Sequence, residues 1–358
     1  MPTGKQKVLI FRPGSLGDTV IALPCFHLIA RVFPASERRI LTHSPVHGNY
    51  VSLESVLGCS GLVHGYFEVG YRAVRRSLKQ QIRLARRLRE WKPDIAIYLT
   101  LPRNPARAVT EWAFFKFSGI RRIIGVPFRQ ALRTYAFDPA TGLYESEASR
   151  LARCIADLGD AAPADPKSWD LRLSKEEREF AGRQLGVIGN DGGFVSMSVG
   201  AGMDANDWSE SNWATLVAKM GVRYAELPLV MVGGAADFAP SERVSRHWPG
   251  VKLNLCGKIN PRETAAVLER AAVYVGHDSG PIHLAAAVGT PCVGIYAARE
   301  KPGVWFPFGR QHKIIYHQTE CSGCGLKTCV VNEKKCIHRI TSSEVLGALR
   351  EVKWRSQA

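Results

Sequence analysis

The sequence predicts an α/β protein built from two doubly wound domains, each a Rossmann-like parallel sheet covered by helices. Short apolar, β-rich runs alternate with amphipathic stretches in both halves, as in βαβ units. An Ala/Pro/Asp-rich segment, 160–166, interrupts the alternation, and 358 residues suffice for two domains of about 150 residues each. We therefore expect domains over 1–165 and 185–341, facing each other across a cleft, with the boundary between 160 and 185.

The elements of the first half follow its apolar runs and helical periodicity. Strands are predicted at 7–11, around Leu41, at 94–99 and at 123–126. Helices are predicted at 18–33, 72–91 and 105–117.

The second half repeats the pattern with short joins between strands and helices. Strands are predicted at 194–199, 227–232, 251–255, 273–275 and 292–296, and helices at about 209–220, 239–247, 261–271 and 280–288. The remaining segment, 342–358, contains a last helix, and the sequence leaves open whether it packs back on the N-terminal domain or on the other half.

Composition excludes the disordered, fibrous and membrane-spanning classes. Hydrophobic residues make up 46% and charged residues 22%, which is ordinary for a globular protein. The longest apolar stretch, 283–298, is interrupted by Gly and Pro and falls short of the roughly 18 apolar residues that span a bilayer. The N-terminal apolar run, 8–11, is too short for a signal peptide, so we expect a cytoplasmic protein.

Positive charge is concentrated in the first half of the chain. Residues 1–155 contain 24 Lys and Arg against 10 Asp and Glu, which places +14 of the net +16 there. This asymmetry predicts an acidic partner for the first half.

The first candidate site is Arg12-Pro-Gly-Ser-Leu-Gly-Asp18, where the first strand gives way to a helix. Asp18 is either an ordinary helix cap beside two turn glycines or a carboxylate facing the crevice where doubly wound folds bind ligands. The motif matches neither G-x-G-x-x-G nor a P-loop, which disfavours a dinucleotide enzyme and an ATPase.

The second candidate site is the segment 276–291, Gly-His-Asp-Ser-Gly-Pro-Ile-His-Leu-Ala-Ala-Ala-Val-Gly-Thr-Pro. Asp278 or Ser279 is expected to cap the helix, and Gly280 leaves room beside its first N–H groups. Such a helix start binds anions and suits a diphosphate, although a capped helix that binds nothing has the same pattern.

Together these motifs resemble those of glycosyltransferase family 9, the bacterial ADP-heptose:lipopolysaccharide heptosyltransferases. The segments 199–202, 206–213 and 232–237 also resemble that family, and the resemblance extends from about Lys7 to Thr341.

The resemblance implies a GT-B fold, with an anionic lipid-linked glycan acceptor on the first domain and an ADP-sugar donor on the second. It implies an inverting transfer, most simply of heptose to a lipopolysaccharide core or related surface glycan, that needs no metal or other cofactor, with Asp18 as general base. Arg12 is assigned to the acceptor. The residues assigned to the donor are Asp278 (sugar hydroxyls), Ser279 and Gly280 (diphosphate), His283 (loop support), Gly202 and Asn206 (phosphate side), Asp237 (ribose), and Lys258 and Ile259 (base).

One departure from the family concerns the charge near the donor. Many relatives carry Lys two residues before the motif's Trp, whereas this chain has Asn206 before Trp208. A neutral amide supplies no charge, so either Lys258 or Arg299 substitutes or the donor or activity differs.

A basic amphipathic stretch, 72–92, is the third feature. Its apolar stripe is predicted to consist of Val74, Leu78, Ile82, Ala85, Leu88 and Trp91. Arg75, Arg76, Arg83 and Arg87 on its other faces are candidates for binding an anionic acceptor or contacting the inner membrane peripherally, and a solvated charged face is the alternative. Nucleic acid is disfavoured because no binding motif for it accompanies the charge.

Four clustered cysteines, Cys321, Cys324, Cys329 and Cys336, form the fourth feature. They are candidates for a structural zinc ion or cluster, for reduced structural thiols or for disulfides.

Two readings compete with heptosyl transfer. A GT-B transferase could use another nucleotide-sugar or acceptor, which Asn206 favours. A non-catalytic protein could bind a nucleotide-sugar or nucleic acid, with Asp18 as a cap only. A carboxylate and an anion-binding helix in one chain favour catalysis.

Overall fold

The computed structural model describes residues 5–43, 51–70, 77–102, 104–189, 193–330 and 332–355. The chain divides into two compact units, 1–138 with 145–171 and 139–144 with 172–358. None of the described helices is long and apolar enough to cross a membrane.

The first unit is built on a five-stranded parallel sheet with the order β3-β2-β1-β4-β5. Its strands are β1 (Lys7–Phe11), β2 (Glu37–His43), β3 (Gly65–Val69), β4 (Ile95–Tyr98) and β5 (Arg122–Ile124). Its helices are α1 (Leu16–Ile21), α2 (Leu23–Val32), α3 (Glu54–Leu57), α4 (Leu78–Trp91), α5 (Pro105–Phe117) and α6 (Glu147–Cys154).

The second unit contains a six-stranded parallel sheet with the order β10-β9-β8-β11-β12-β13. The short strand β6 (Phe137–Asp138) belongs to the first unit. The strands of the second unit are the short β7 (Leu143–Tyr144) and then β8 (Val195–Ser198), β9 (Leu229–Met231), β10 (Lys252–Asn254), β11 (Val273–His277), β12 (Cys292–Tyr296) and β13 (Lys313–Tyr316). The helices are α7 (Lys175–Leu185), α8 (Glu210–Tyr224), α9 (Phe238–Ser245), α10 (Pro261–Leu268), α11 (Gly280–Ala287), α12 (Lys335–His338) and α13 (Ser342–Glu351).

Strand order places a topological switch point in each sheet. It lies between β1 and β4 in the first unit and between β8 and β11 in the second, where neighbouring crossovers leave in opposite directions. Doubly wound sheets bind their ligands at the carboxyl ends of such strands. The doubly wound α/β class predicted from the sequence is confirmed.

Three local predictions are corrected. The helix expected at 18–33 is two helices. The first ends and the second begins at Ala22, because Pro24 in the first turn of α2 cannot continue a helix from α1. The strands β3 and β13 were not predicted, since these edge strands bury few side chains and carry little apolar signal. In α4, Leu78 is 72% and Ile82 47% exposed, so the buried stripe is Leu84, Ala85, Leu88 and Trp91, while Val74 lies outside the described residues.

The last helix packs on the second unit. Val345 and Leu349 of α13 join the apolar core of that unit together with Trp208 and Trp213. Trp354 also packs on Tyr224, with ring centroids 4.8 Å apart. These contacts place the last helix in the core of the second unit.

Candidate functional site

Asp18 lies in the first turn of α1, after the carboxyl end of β1. Its Oδ2 accepts hydrogen bonds from the main-chain N–H of Ser15 (2.6 Å) and from the Ser15 hydroxyl (2.7 Å). A Cβ at Gly14 would lie 2.5 Å from the Asp18 Cβ, so only glycine fits there. The side chain is 15% exposed. The carboxylate is therefore held in one position at the switch point and is partly accessible to solvent.

Arg12 is fully buried, which corrects its assignment to the acceptor. One guanidinium nitrogen donates to the carbonyl of Leu99 (3.0 Å) and another donates to the carbonyl of Asp18. The guanidinium also lies 3.9 Å from Oδ1 of Asp18. Because its donors join the Leu99 carbonyl, directly after β4, to the Asp18 carbonyl in α1, Arg12 positions the turn that carries Asp18.

The basic face of α4 is exposed at its arginines. Arg83 and Arg87 line a surface cavity with Gln80 and Glu68, and the guanidinium of Arg87 lies 5.4 Å from the Phe67 ring centroid. The other two candidates, Arg75 and Arg76, lie outside the described residues.

At the switch point of the second unit, the loops after β8 and β11 are joined by a hydrogen bond. The side-chain amide of Asn206 donates to the main-chain carbonyl of Asp278 (3.2 Å). Asn206 is 1% exposed, and its Oδ1 has no hydrogen-bond partner among the described residues. Gly202 has a positive φ of +56°, which suits the turn that comes before Asn206. The predicted donor residues Asn206 and Asp278 therefore lie together.

The start of α11 is less fully capped than the sequence suggested. Ser279 is its N-cap residue by position, yet its hydroxyl makes no capping bond. That hydroxyl oxygen is buried and has no partner in the part of the chain that the structure describes. His283 is buried one turn later, with Nε2 3.9 Å from Oδ1 of Asp278. The Ser279 side chain therefore leaves the first N–H groups of α11 uncapped, and Pro281 in that turn has no N–H.

His277, at the end of β11, holds the loop that follows β8, a role that sequence reasoning missed. Its Nε2 accepts the main-chain N–H of Trp208 (3.1 Å), and its ring meets Trp213 edge-on. Burial lowers the pKa of His277 to about 4, so the ring is neutral at pH 7. Its position beside the Asp-Ser pair was the only signal in the sequence.

Asp237 lies between the loops that follow β8 and β9. Its Oδ2 accepts the N–H of Gly234 (2.8 Å), and a Cβ at Gly200 would collide with the carboxylate. Burial raises the pKa of Asp237, although the Gly234 N–H opposes the change. The ribose contact of Asp237 stays a prediction.

Lys258 and Arg299, the two candidates to replace the family's lysine near the donor, differ in whether their charged group is already hydrogen-bonded. Lys258 is exposed, with Nζ 5.0 Å from the Phe238 ring centroid, and Ile259 beside it is half-buried. Arg299 donates to the carbonyls of Leu326 (2.7 Å) and Gly325 (3.0 Å), so its guanidinium is already engaged.

The four clustered cysteines line one small cavity near these loops. All nine cysteines lie in the described part of the chain, and none is in a disulfide. Among the described residues, no group of three or more His, Cys, Asp or Glu side chains could hold a metal ion.

Two doubly wound parallel sheets in one chain, the second with an open helix start at its switch point, define an α/β protein of the GT-B class. Residues 128–335 match the family described as glycosyltransferase family 9 (heptosyltransferase). This match covers more than half of the chain, and the chain belongs to glycosyltransferase family 9, as the resemblance predicted.

Relatives and solved structures agree with this assignment. The lipopolysaccharide core heptosyltransferase OpsX of Haemophilus influenzae is 24% identical over 136 residues, so the match spans 37% of this chain and 38% of that protein's length. The structure of the family 9 glycosyl transferase from Veillonella parvula has a TM-score of 0.73 at 17% identity and covers 98% of both chains. The structure of E. coli heptosyltransferase WaaC with ADP has a TM-score of 0.64 at 17% identity, over 97% of this chain and 99% of that one.

Proposed function

We propose that this protein transfers a sugar from an ADP-activated donor to a lipopolysaccharide core or related surface glycan. The donor that we propose is ADP-heptose. The observation that carries the proposal is the bond from Asn206 to the Asp278 carbonyl, which holds the loop after β8 beside the start of α11. The Ser279 hydroxyl at that helix start is buried and has no hydrogen-bond partner among the described residues. A helix start with free N–H groups attracts a diphosphate. Family membership supports the sugar donor, and the WaaC structure with ADP supports adenine as its base.

In the proposed reaction, Asp18 removes the proton from the attacking acceptor hydroxyl. The hydroxyl oxygen bonds to the anomeric carbon as the bond to the diphosphate breaks, which inverts that centre. Ser15 supports this role because its two hydrogen bonds occupy Oδ2 and fix the carboxylate.

The leaving diphosphate is stabilised in this proposal by main-chain N–H groups of α11, from Gly280 onward, and not by a metal ion. The Ser279 hydroxyl donates to a phosphate oxygen. Asp278 holds sugar hydroxyls, Asp237 the ribose, and Lys258 and Ile259 the base.

The acceptor is proposed to be anionic and lipid-linked, presented at the cytoplasmic face of the inner membrane. Leu78 and Ile82 are exposed one helical turn apart on α4, next to the exposed Arg83. Apolar side chains inserted among basic ones are typical of helices that lie on anionic membrane surfaces.

A second candidate is transfer from a different nucleotide-sugar. Asn206 favours it, since this position carries no charge to match the family's lysine. A panel of ADP-, GDP- and UDP-sugars separates the two, because saturating donor at 100 times its Kd stabilises the fold by about 2.7 kcal/mol. We expect the largest thermal shift with ADP-heptose, followed by product formation when a lipopolysaccharide core acceptor is added. A larger thermal shift with another nucleotide-sugar would indicate that this compound, and not ADP-heptose, is the donor. Binding of a nucleotide-sugar without turnover over a panel of acceptors would favour a non-catalytic protein.

A further inference from the structure

Two acidic side chains flank Asn206 in the loop that follows β8, residues 202–208, which we call the donor loop. Asp204 and Asp207 lie on either side of it in the sequence and are about half exposed. Asn206 itself is neutral, and its amide bonds the carbonyl of Asp278 just before the start of α11. Without a nearby cation, the donor loop would bring two negative charges toward the proposed diphosphate site.

Lys334 supplies such a cation from a distant part of the sequence. Its Nζ lies 2.7 Å from Oδ1 of Asp204 and 3.3 Å from Oδ2 of Asp207. The Lys334 side chain is only 16% exposed. Burial opposes its charged form, but the hydrogen bonds to both carboxylates outweigh burial and raise the pKa of this lysine. The amine is therefore a charged bridge between two residues of one turn.

The main chain of Lys334 is fixed where α12 begins. Its φ is +57°, which is uncommon for a residue with a side chain. Lys334 is the N-cap residue of α12, and its N–H donates to Sγ of Cys329 (3.3 Å). The position of the amine is thus set by the fold around it as well as by the ion pairs.

Two further hydrogen bonds hold the same turn of the donor loop. The main-chain N–H of Cys329 donates to Oδ2 of Asp204 (3.4 Å), and Nε2 of His338 donates to the main-chain carbonyl of Asp207 (3.2 Å). Each acidic residue of the turn is therefore bonded twice, once by Lys334 and once by a neighbour of that lysine in the sequence.

We propose that Lys334 is a positioning residue for the nucleotide donor. Its ion pairs with Asp204 and Asp207 close the donor loop into the turn from which the Asn206 amide reaches the Asp278 carbonyl. Positive charge that is missing at position 206 is thus supplied from elsewhere in the chain, as a clamp on the loop and not as a phosphate ligand. The identity of the donor rests on the proposed function, whereas the clamp does not.

The clamp and a simple charge effect predict different results for two variants. Lys334→Met removes a positive charge and Asp204→Asn/Asp207→Asn removes two negative charges, but both remove the ion pairs. If charge near the diphosphate alone were decisive, ADP affinity would fall in the first variant and rise in the second. The clamp predicts a fall in both, of roughly 2- to 30-fold, the range for coupling through a packed network.

Calorimetric titration of ADP into the full chain measures these affinities. The matched control is Lys335→Met, which removes the same charge one residue further along, where the lysine pairs with the exposed Glu320 (2.6 Å). This control should bind ADP within about twofold of wild type. Lys334→Arg keeps a cation that can bridge both carboxylates and should retain most of the affinity.

Circular dichroism checks that the variants fold, and the double aspartate variant, at half-exposed positions, decides alone if Lys334→Met does not. ADP affinity within twofold of wild type in folded Lys334→Met would overturn the proposal, as would tighter ADP binding by Asp204→Asn/Asp207→Asn.

Failure of the wild-type protein to bind ADP would instead overturn the proposed donor. Amide hydrogen exchange of the ligand-free protein then still tests the clamp, because the donor loop should exchange faster in Lys334→Met than in Lys335→Met. Equal exchange of the donor loop in these two variants would overturn the clamp.

Discussion

The side-chain amide of Asn206 donates a hydrogen bond to the main-chain carbonyl of Asp278, 72 positions further along the chain. The bond joins the loops that follow β8 and β11, at the switch point of the second sheet. It gives the position a structural role that needs an amide donor and no charge.

Replacing Asn206 with Asp keeps the side-chain shape but removes the donor and adds a negative charge beside the start of α11. ADP affinity should fall at least tenfold, because the charge repels a diphosphate and the Asp278 carbonyl loses its bond. Titration calorimetry measures the change. Asn212→Asp is the matched control, since Asn212 also donates to a main-chain carbonyl, that of Trp208, and should leave ADP affinity within about twofold. Equal losses in both variants would indicate a general charge effect.

Asp18→Asn should lower turnover by about 10²–10⁴-fold while preserving the fold and donor affinity. The amide oxygen of Asn can still accept from Ser15, but an amide cannot take up the acceptor proton. Steady-state kinetics with a saturating donor checks this, with the exposed Asp157→Asn as control. Near-wild-type turnover would leave Asp18 as a helix cap only.

Gly280→Val should weaken donor binding, because a branched side chain obstructs the first N–H groups of α11. Gly347→Val is the control, also a helical glycine but one whose Cβ would meet nothing within 4 Å. Donor affinity is measured by thermal shift in both folded variants. Unchanged affinity in Gly280→Val would indicate a capped helix that binds no diphosphate.

The double variant Arg83→Gln/Arg87→Gln should raise the apparent KM for an anionic acceptor and leave donor affinity unchanged. At about 1 kcal/mol per basic residue near an anionic surface, the increase is roughly 30-fold at low salt. It should shrink at 1 M salt, where the Debye length is about 3 Å.

Acceptor kinetics and sedimentation with anionic vesicles measure this effect, and Arg246→Gln/Arg350→Gln, at exposed positions of the second unit, is the control. A double variant of α4 that matches wild type at low salt would make the positive charge of this helix a solubility feature.

Acid should destabilise the second unit partly through His277. Burial lowers the pKa of this histidine to about 4, while the unfolded value is about 6.5. The unfolded chain therefore binds more protons between these values. The stabilisation is complete above pH 6.5 and is lost as pH falls toward 4, by up to about 3 kcal/mol. His312, whose pKa is also lowered to about 4 by burial, acts in the same direction.

His277→Gln should flatten the fall of the unfolding free energy between pH 6.5 and 4, measured by urea denaturation at a series of pH values. The exposed His247→Gln should retain the wild-type slope. Identical slopes in both variants would contradict the assignment.

The sequence predicted the central strands because Val8, Leu9, Ile10 and their counterparts in the second sheet are buried on both faces and form continuous apolar runs. It missed β3 and β13, two edge strands whose half-exposed residues leave no such pattern, although the opposite edge strands, β5 and β10, were predicted. Arg12 was assigned to the acceptor because a charged residue in a motif gives no sign of burial. The contact from Asn206 to Asp278 depends on strand order, which local patterns do not encode.

The guanidinium of Arg12 joins the carbonyl of Leu99, after β4, to the carbonyl of Asp18, in the first turn of α1. Since these two chain segments share one buried cation, neither can relax without uncovering its charge. The Asp18 carboxylate is consequently preorganised together with the sheet. Its position is fixed in part by Leu99, more than 80 positions further along the chain. Hydrogen exchange at the turn before α1 should thus follow the opening of the whole first unit, and not local fraying of a short helix.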